Sequence, residues 1–306
     1  MTAPAASSPT AIAAAPASGR GRARSRQLRN RLAFGALGLG LLLVVVLMAI
    51  GAPLIAGYNP LQQNLALRLQ PPGTSAGGHV FLLGTDTLGR DIWARIVYGS
   101  QVSLSVAAIA VSVSLAVGTV VGMVAGFYRG IVGTVLMRLV DVVLSVPFLL
   151  LAVATVAVVG PSFTNLIFAL GLTRWPRYAR VGYAQTLATR ELEFVQAARV
   201  LGAPAAHLLV RHLLPNVLPA LAVVATLEMG LMIIFEASLS FLGLGVQPPQ
   251  PSWGGMLSDG RNYLADAWWL ATFPGLAISL TVLGANVTGD WVRDLLDPRR
   301  GQVSRL

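Results

Sequence analysis

The amino-acid sequence predicts an all-α integral membrane protein with six transmembrane helices and cytoplasmic N- and C-termini. Three observations carry that expectation. The 306 residues are 55% hydrophobic and only 11% charged, whereas a soluble domain carries about 25% charged residues. Apolar runs recur at 32–56, 102–127, 132–159, 163–172 (extending toward Trp175), 217–244 and 268–287, and a span needs about 20 residues. Arginine supplies every basic side chain other than histidine, and it is distributed unevenly about those runs.

With the N-terminus inside, the cytoplasmic arginines are Arg20, Arg22, Arg24, Arg26, Arg29, Arg31, Arg129, those from Arg174 to Arg211, and Arg293, Arg299, Arg300 and Arg305. Arg138 lies just within the third run, and only Arg68, Arg90, Arg95 and Arg261 fall outside. This is the positive-inside bias. It assigns the net charge of +10 to topology and anionic membrane lipid rather than to nucleic acid.

Residues 1–30 offer almost nothing to bury and are expected to form a disordered, Arg-rich cytoplasmic tail. Residues 31–57 make the first span, too long for a signal-peptide core of about 7–15 residues. Pro53 and Gly57-Tyr58-Asn59-Pro60 close it. Residues 58–100 are polar and turn-rich, hence extracytoplasmic. Within them Asp86 or Thr87 can cap a helix beginning near Leu88 or Gly89, and Ile92, Trp93, Ile96 and Tyr98 suit an interfacial helix. Residues 101–289 hold the other five spans. The fourth is the shortest, with Trp175 and Tyr178 marking its inner interface. Gly118, Gly122 and Gly126 recur every four residues, a seam that lets another helix approach closely. Pro and Gly are too dense across 237–257 for lipid-exposed helix, so an irregular outer loop is expected there, facing the solute path or a docked protein. Residues 290–306 form a cytoplasmic C-terminal tail.

One cytoplasmic stretch, 190–215, stands apart. Leu192, Val195, Ala198, Val200 and Leu201 follow helical spacing, while Glu191, Glu193, Gln196 and Arg199 fill the other positions. Gly202 ends that amphipathic helix and Pro204 discourages its continuation. A second short helix then runs toward Leu214 and Pro215. Helix, glycine turn, helix, between two spans, suits docking into a groove on a soluble partner.

Gln196-Ala197-Ala198, Gly202 and Leu214-Pro215 keep the spacing of the EAA loop, and the chain here resembles the permease subunits of bacterial ABC importers. That resemblance implies an ATPase-coupling surface over Glu193, Phe194, Val195, Gln196, Ala197, Ala198, Arg199, Val200, Leu201, Gly202, Ala203, Leu214 and Pro215. Two positions depart from the motif: Gln196 replaces its Glu, and His212 replaces its apolar residue two before Leu-Pro. Gly84, Thr85, Asp86, Gly89, Arg90 and Asp91 match a GTDxLGRD segment. Leu239–Gly245, Pro248-Pro249 and the run through Trp253 and Gly254 match LSFLGLG…PP.PSWG. Asn286, Gly289-Asp290, Arg293-Asp294 and Leu296-Asp297-Pro298-Arg299 match an NxxGDxxRDxLDPR ending. All three are similar to C-type subunits of the dipeptide/oligopeptide permeases. The resemblance implies a type I importer fold, a B-type permease partner, two ATPases that carry ATP and magnesium, and an extracytoplasmic solute-binding protein. Similar permeases also carry nickel, glutathione or haem.

Acidic residues within spans are functional candidates by default. Glu228 and Glu236 lie about 12 Å apart along one helix, each either lining a polar pathway or bonding a neighbouring helix. Asp141 follows Arg138 by three residues, so an intrahelical pair competes with a pathway role. No GxxxxGK[ST] phosphate loop occurs, so ATP must bind elsewhere. No cysteine is present, and His79, His207 and His212 lack ligand spacing in sequence. No catalytic or metal site is expected. The rival reading is an ion-driven secondary transporter using Glu228 and Asp141, although no matching pair of interrupted spans accompanies it.

Overall fold

The computed structural model describes residues 18–296, with side chains from 34 to 295. Helix α1 (Ser18–Ile50) is followed by one turn, α2 (Ala52–Ile55), and by loops bearing a small hairpin, β1 (Thr74–Ala76) and β2 (His79–Phe81). Then come α3 (Ile92–Tyr128), α4 (Gly130–Ser145), α5 (Phe148–Val159), α6 (Phe163–Thr189), α7 (Glu193–Val200), α8 (Ala205–His207), α9 (Leu214–Phe241), α10 (Trp253–Gly260) and α11 (Trp269–Leu296). A π-helical segment, Leu208–Leu213, joins α8 to α9 without a break. The hairpin departs from the all-α expectation. Its two-residue turn, Gly77-Gly78, has positive φ at both positions, which fits the twist of the flanking strands.

Among the described residues, Ile92–Tyr128, Ala205–Phe241 and Trp269–Leu295 are each long and apolar enough to cross a membrane. The run at 132–159 is not one straight span. α4 and α5 meet at 87°, because Pro147 cannot donate into the helical ladder and pushes Val146 to extended φ/ψ. The two count as a fourth span if taken together. Helix α1 begins at Ser18, inside the stretch expected to be a disordered tail, since Arg, Ala, Gln and Leu continue a helix readily. Residues 1–17 and 297–306 lie outside the described region, and with them part of each expected tail and the end of the NxxGDxxRDxLDPR match.

Helix α6 is the largest correction. Its apolar part ends near Trp175, yet the helix runs 27 residues to Thr189 and carries Arg174, Arg177 and Arg180 inside it. These arginines lie inside a helix packed within the bundle, where a short apolar span ending near Trp175 was expected. The expected glycine seam packs against this helix. A Cβ at Gly118 would overlap Trp175 and Tyr178, and one at Gly122 would overlap the Ala179 carbonyl. With only hydrogen there, the α3 and α6 backbones approach closely. Helix α9 completes this core with Leu221, Met232 and Ile233, and α1 lies along α11, with Gly35 and Gly38 against Trp291 and Val287.

Candidate functional site

Residues 190–215 lie at the C-terminal end of α3. Helix α7 ends in a Schellman closure: the Ala203 N–H donates to the Ala198 carbonyl at 3.1 Å and Gly202 N–H to that of Arg199 at 3.0 Å. Gly202 takes φ 82°, with open space where a side chain would point. Val195 turns inward and packs with Leu208 and Leu213 against Met123 of α3, Tyr178 of α6, and Val217 and Leu221 of α9. The opposite face is bare. Val200 and Leu201 are each 86% exposed and Phe194 46%. The amphipathic helix therefore buries one apolar row and leaves a second uncovered.

Polar contacts fix this unit to the bundle. The Gln196 amide donates to the Arg190 carbonyl at 3.1 Å and to the Glu191 carboxylate at 3.3 Å. A glutamate at 196 could donate to neither, so the departure from the motif matches its surroundings. Glu191 also pairs with Arg129 just beyond α3, and Arg190 donates to the Gly126 and Phe127 carbonyls at the α3 C-terminus. There a cation complements the helix dipole. Arg199 lies over the Phe127 ring, 5.8 Å from its centroid. His212 brings its ring to 5.3 Å from His207 and 6.1 Å from Phe194, a contact between histidines that their sequence spacing did not reveal.

At the other end of α3 the GTDxLGRD and LSFLGLG…PP.PSWG segments come together. Asp86 Oδ1 accepts the Leu88 and Arg90 N–H groups at 2.8 and 2.9 Å. Its Oδ2 accepts Arg90 Nε at 2.6 Å and Arg95 Nη1. Asp86 therefore closes a turn rather than capping a helix. The cap is Asp91, which accepts the Trp93 N–H at 2.8 Å and contacts His79 Nε2 at 2.9 Å. Helix α3 starts at Ile92 and runs 37 residues, about 55 Å, so the expected interfacial helix is its first turns. The Thr85 hydroxyl accepts the Gln70 N–H and donates to the Leu67 carbonyl. Gly84 and Gly89, at φ 81° and 71°, leave room for the Gln70 and Asn64 carbonyls. Trp253 is fully buried and donates Nε1 to the Ile96 carbonyl at 3.0 Å, while Gly254 lies against the Ala237 backbone. Asp259 stands 3.7 Å from Arg95, and burial raises its pKa above the ordinary carboxylate value against the pull of Arg95 and Arg90.

Each of the candidate acids within the spans is held by other side chains. Glu228 is buried, receives Arg174 through Nε at 2.9 Å and Nη2 at 2.6 Å, and receives Arg177 Nη1 at 2.7 Å. Arg174 is itself sandwiched by Phe148 and Phe235, 4.9 and 5.2 Å from their ring centroids. Of the two roles open to Glu228, the geometry is that of a bond to neighbouring helix α6. Glu236 is buried and accepts Ser103 Oγ at 3.0 Å and Ser240 Oγ at 2.8 Å. Asp141 pairs with Arg180 of α6, not with Arg138 on its own helix. The arginines at 174, 177 and 180 were the residues to find. Their spacing of three along a helix at span depth was the available signal.

Residues 118–302 match the family of binding-protein-dependent transport system inner membrane components, and residues 20–72 match the N-terminal TM domain of oligopeptide transport permease C. The fold is shared with a chain in inward-facing structures of the MetNI methionine ABC transporter, at TM-score 0.54 and 20% identity, covering 67% of this chain and 97% of that one. The chain belongs to the binding-protein-dependent transport system inner membrane component family. Its relatives include the dipeptide transport system permease protein DppC of Escherichia coli K12, 45% identical over 84% of this chain and 86% of that one. The probable D,D-dipeptide transport system permease protein DdpC of the same strain is 41% identical over 84% of each chain. The di/tripeptide transport system permease protein DppC of Pseudomonas aeruginosa UCBPP-PA14 is 43% identical over 83% of this chain and 84% of that one.

Proposed function

We propose that this inner-membrane permease subunit carries small peptides as part of an ATP-driven importer, and that residues 193–215 are where the ATPases grip it. The bare apolar face of Phe194, Val200 and Leu201 is the observation that supports the reading most directly. An exposed apolar patch on a helix with an otherwise charged surface is a surface for a partner. The opposite face, through Val195, meets α3, α6 and α9 in one cluster. Closure of the ATPases on ATP would move α7, and with it the ends of three long helices, shifting the bundle between two openings.

On this reading the chain makes six crossings with both termini in the cytoplasm, and α6 crosses despite its arginines because carboxylates on α4 and α9 pair them. ATP and magnesium belong to the two ATPases, and the chain itself catalyses no reaction. A B-type permease completes the pathway and a solute-binding protein delivers peptide from the outer side. The pairing of Glu228 and Asp141 with arginine disfavours an ion-driven carrier, which needs a carboxylate free to load.

The test is purification of the tagged chain from its own membranes in mild detergent, followed by identification of its companions and reconstitution with them. A second permease, P-loop ATPases and ATP-dependent dipeptide uptake are expected. A chain that purifies alone, or uptake driven by an ion gradient without ATP, would overturn the proposal.

A further inference from the structure

Helix α6 is buried on every side but one. Its uncovered stripe runs through Phe168, Leu172, Arg177, Arg180, Ala184 and Ala188. The side chains of Arg177 and Arg180 are 53% and 57% exposed. Counting back from Thr189 at about 1.5 Å per residue, they stand roughly 18 and 14 Å from the coupling-loop end of the helix, near the middle of a ~30 Å hydrocarbon core. Glu228, their neighbour, lies at a similar depth, roughly 21 Å from the start of α9. Two guanidinium groups cannot face lipid tails there.

A second feature points the same way. The break between α4 and α5 at Val146-Pro147 adjoins this network, since Phe148 stacks on Arg174. Non-helical backbone at membrane depth is tolerated only inside protein or along water. Cations also exceed carboxylates on this face. Arg174 and Arg177 share Glu228, Arg180 holds Asp141, and Arg138 is exposed one turn from Asp141. Arg174 is the buried anchor, stacked and bidentate, whereas Arg177 makes one bond to Glu228 and keeps the rest of its fork free.

We propose that the Arg177–Arg180 stripe of α6 lines the aqueous path, and that Arg177 meets the carboxylate of the passing solute. A guanidinium offers a planar fork of donors that matches a carboxylate, and its partial partnership with Glu228 lets it release the solute again. This rests on the permease reading above and adds to it a class of substrate group and the residue that receives it.

The chain contains no cysteine, so single thiols can be placed without background from it. Ala184→Cys and Leu172→Cys flank the two arginines and are probed in membrane vesicles holding the assembled complex. The probes are anionic sulfonatoethyl and cationic trimethylammonioethyl methanethiosulfonate. Both thiols should react, and the thiol at 184 should favour the anionic reagent on the order of tenfold, relative to the reagents' rates with a free thiol. Adding Arg177→Gln should lower that ratio, with Arg180, one turn from position 184, holding the remainder. Dipeptide uptake should fall on the order of tenfold in Arg177→Gln and only partway, on the order of threefold, in Arg177→Lys, which keeps the charge but loses the planar fork.

Thiols that stay unreactive in the complex but react once the chain is stripped of its partners would show the stripe to be covered by the second permease, and the proposal would fail. A ratio unchanged by Arg177→Gln, or full uptake by that variant, would overturn it as well. None of these results would touch the permease reading, which fails only if ATPases are missing or uptake ignores ATP.

Discussion

At the N-terminal end of α3, the polar groups of the motifs are engaged within the chain: Asp86 binds two backbone N–H groups and two arginines, Asp91 caps the helix, and Trp253 is buried with its N–H bonded. At the C-terminal end the 190–215 loop is closed just as carefully in its backbone, yet it leaves Val200 and Leu201 in the open. The first end has the construction of a lock and the second that of a socket for something else. Motifs of equal sharpness in a sequence can therefore do different work. One motif specifies a turn and the other leaves a surface, and the direction of their side chains distinguishes them.

That contrast can be tested by how each end fails. Gly89→Val should have the largest effect. Its Cβ would overlap the Asn64 carbonyl, and φ 71° is strained for a β-branched residue. We expect the folded chain to vanish from membranes, as measured by its level and by size-exclusion of the complex. Glu228→Gln should follow. Removing one partner from a buried ion pair costs about 3–5 kcal/mol, read as a drop in the melting temperature of the purified complex. Replacing Arg174 and Glu228 together by Gln should cost less than the sum of the single changes, and strict additivity would argue that the two do not pair.

At the coupling end the expectation reverses. Gly202→Asp should leave the stability of the complex within about 2 kcal/mol of wild type, because open space surrounds the position and only φ is strained. ATP-driven uptake should nonetheless be lost, and Gly202→Asn, better suited to positive φ, should be the milder variant. The smallest effect belongs to Arg129→Gln. Its pair with Glu191 is half exposed on both sides, so its loss should change stability by less than about 1 kcal/mol and matter least at high salt.

The sequence made the local features plain. The apolar runs gave the long helices, Gly202 gave the turn after α7, and the glycines at 118, 122 and 126 gave the seam against α6. What it hid was non-local. Glu228 is bound to arginines 54 and 51 positions away, so Arg174 and Arg177 read as flanking the end of a short span when they lie inside a 27-residue helix. Asp141 had a candidate partner at Arg138, and the distant Arg180 took it instead. Asp86 and Asp91 are both good caps by type. Which one starts α3 was decided by Arg90 and Arg95, whose side chains fold back onto Asp86 and commit it to the turn. The elbow at Pro147 was legible as a proline, but its 87° angle depends on how α5 packs on α6.

The exposed face of α7 is the centre of the account, and a cross-link tests it most directly. A single thiol placed by Leu201→Cys in this cysteine-free chain, treated in native membranes with a short homobifunctional or photoactivated thiol reagent, should join the chain to a P-loop ATPase. The yield should change when ATP and vanadate are added. A thiol at 201 that labels freely with soluble reagent but captures no ATPase, under any nucleotide condition, would contradict the account.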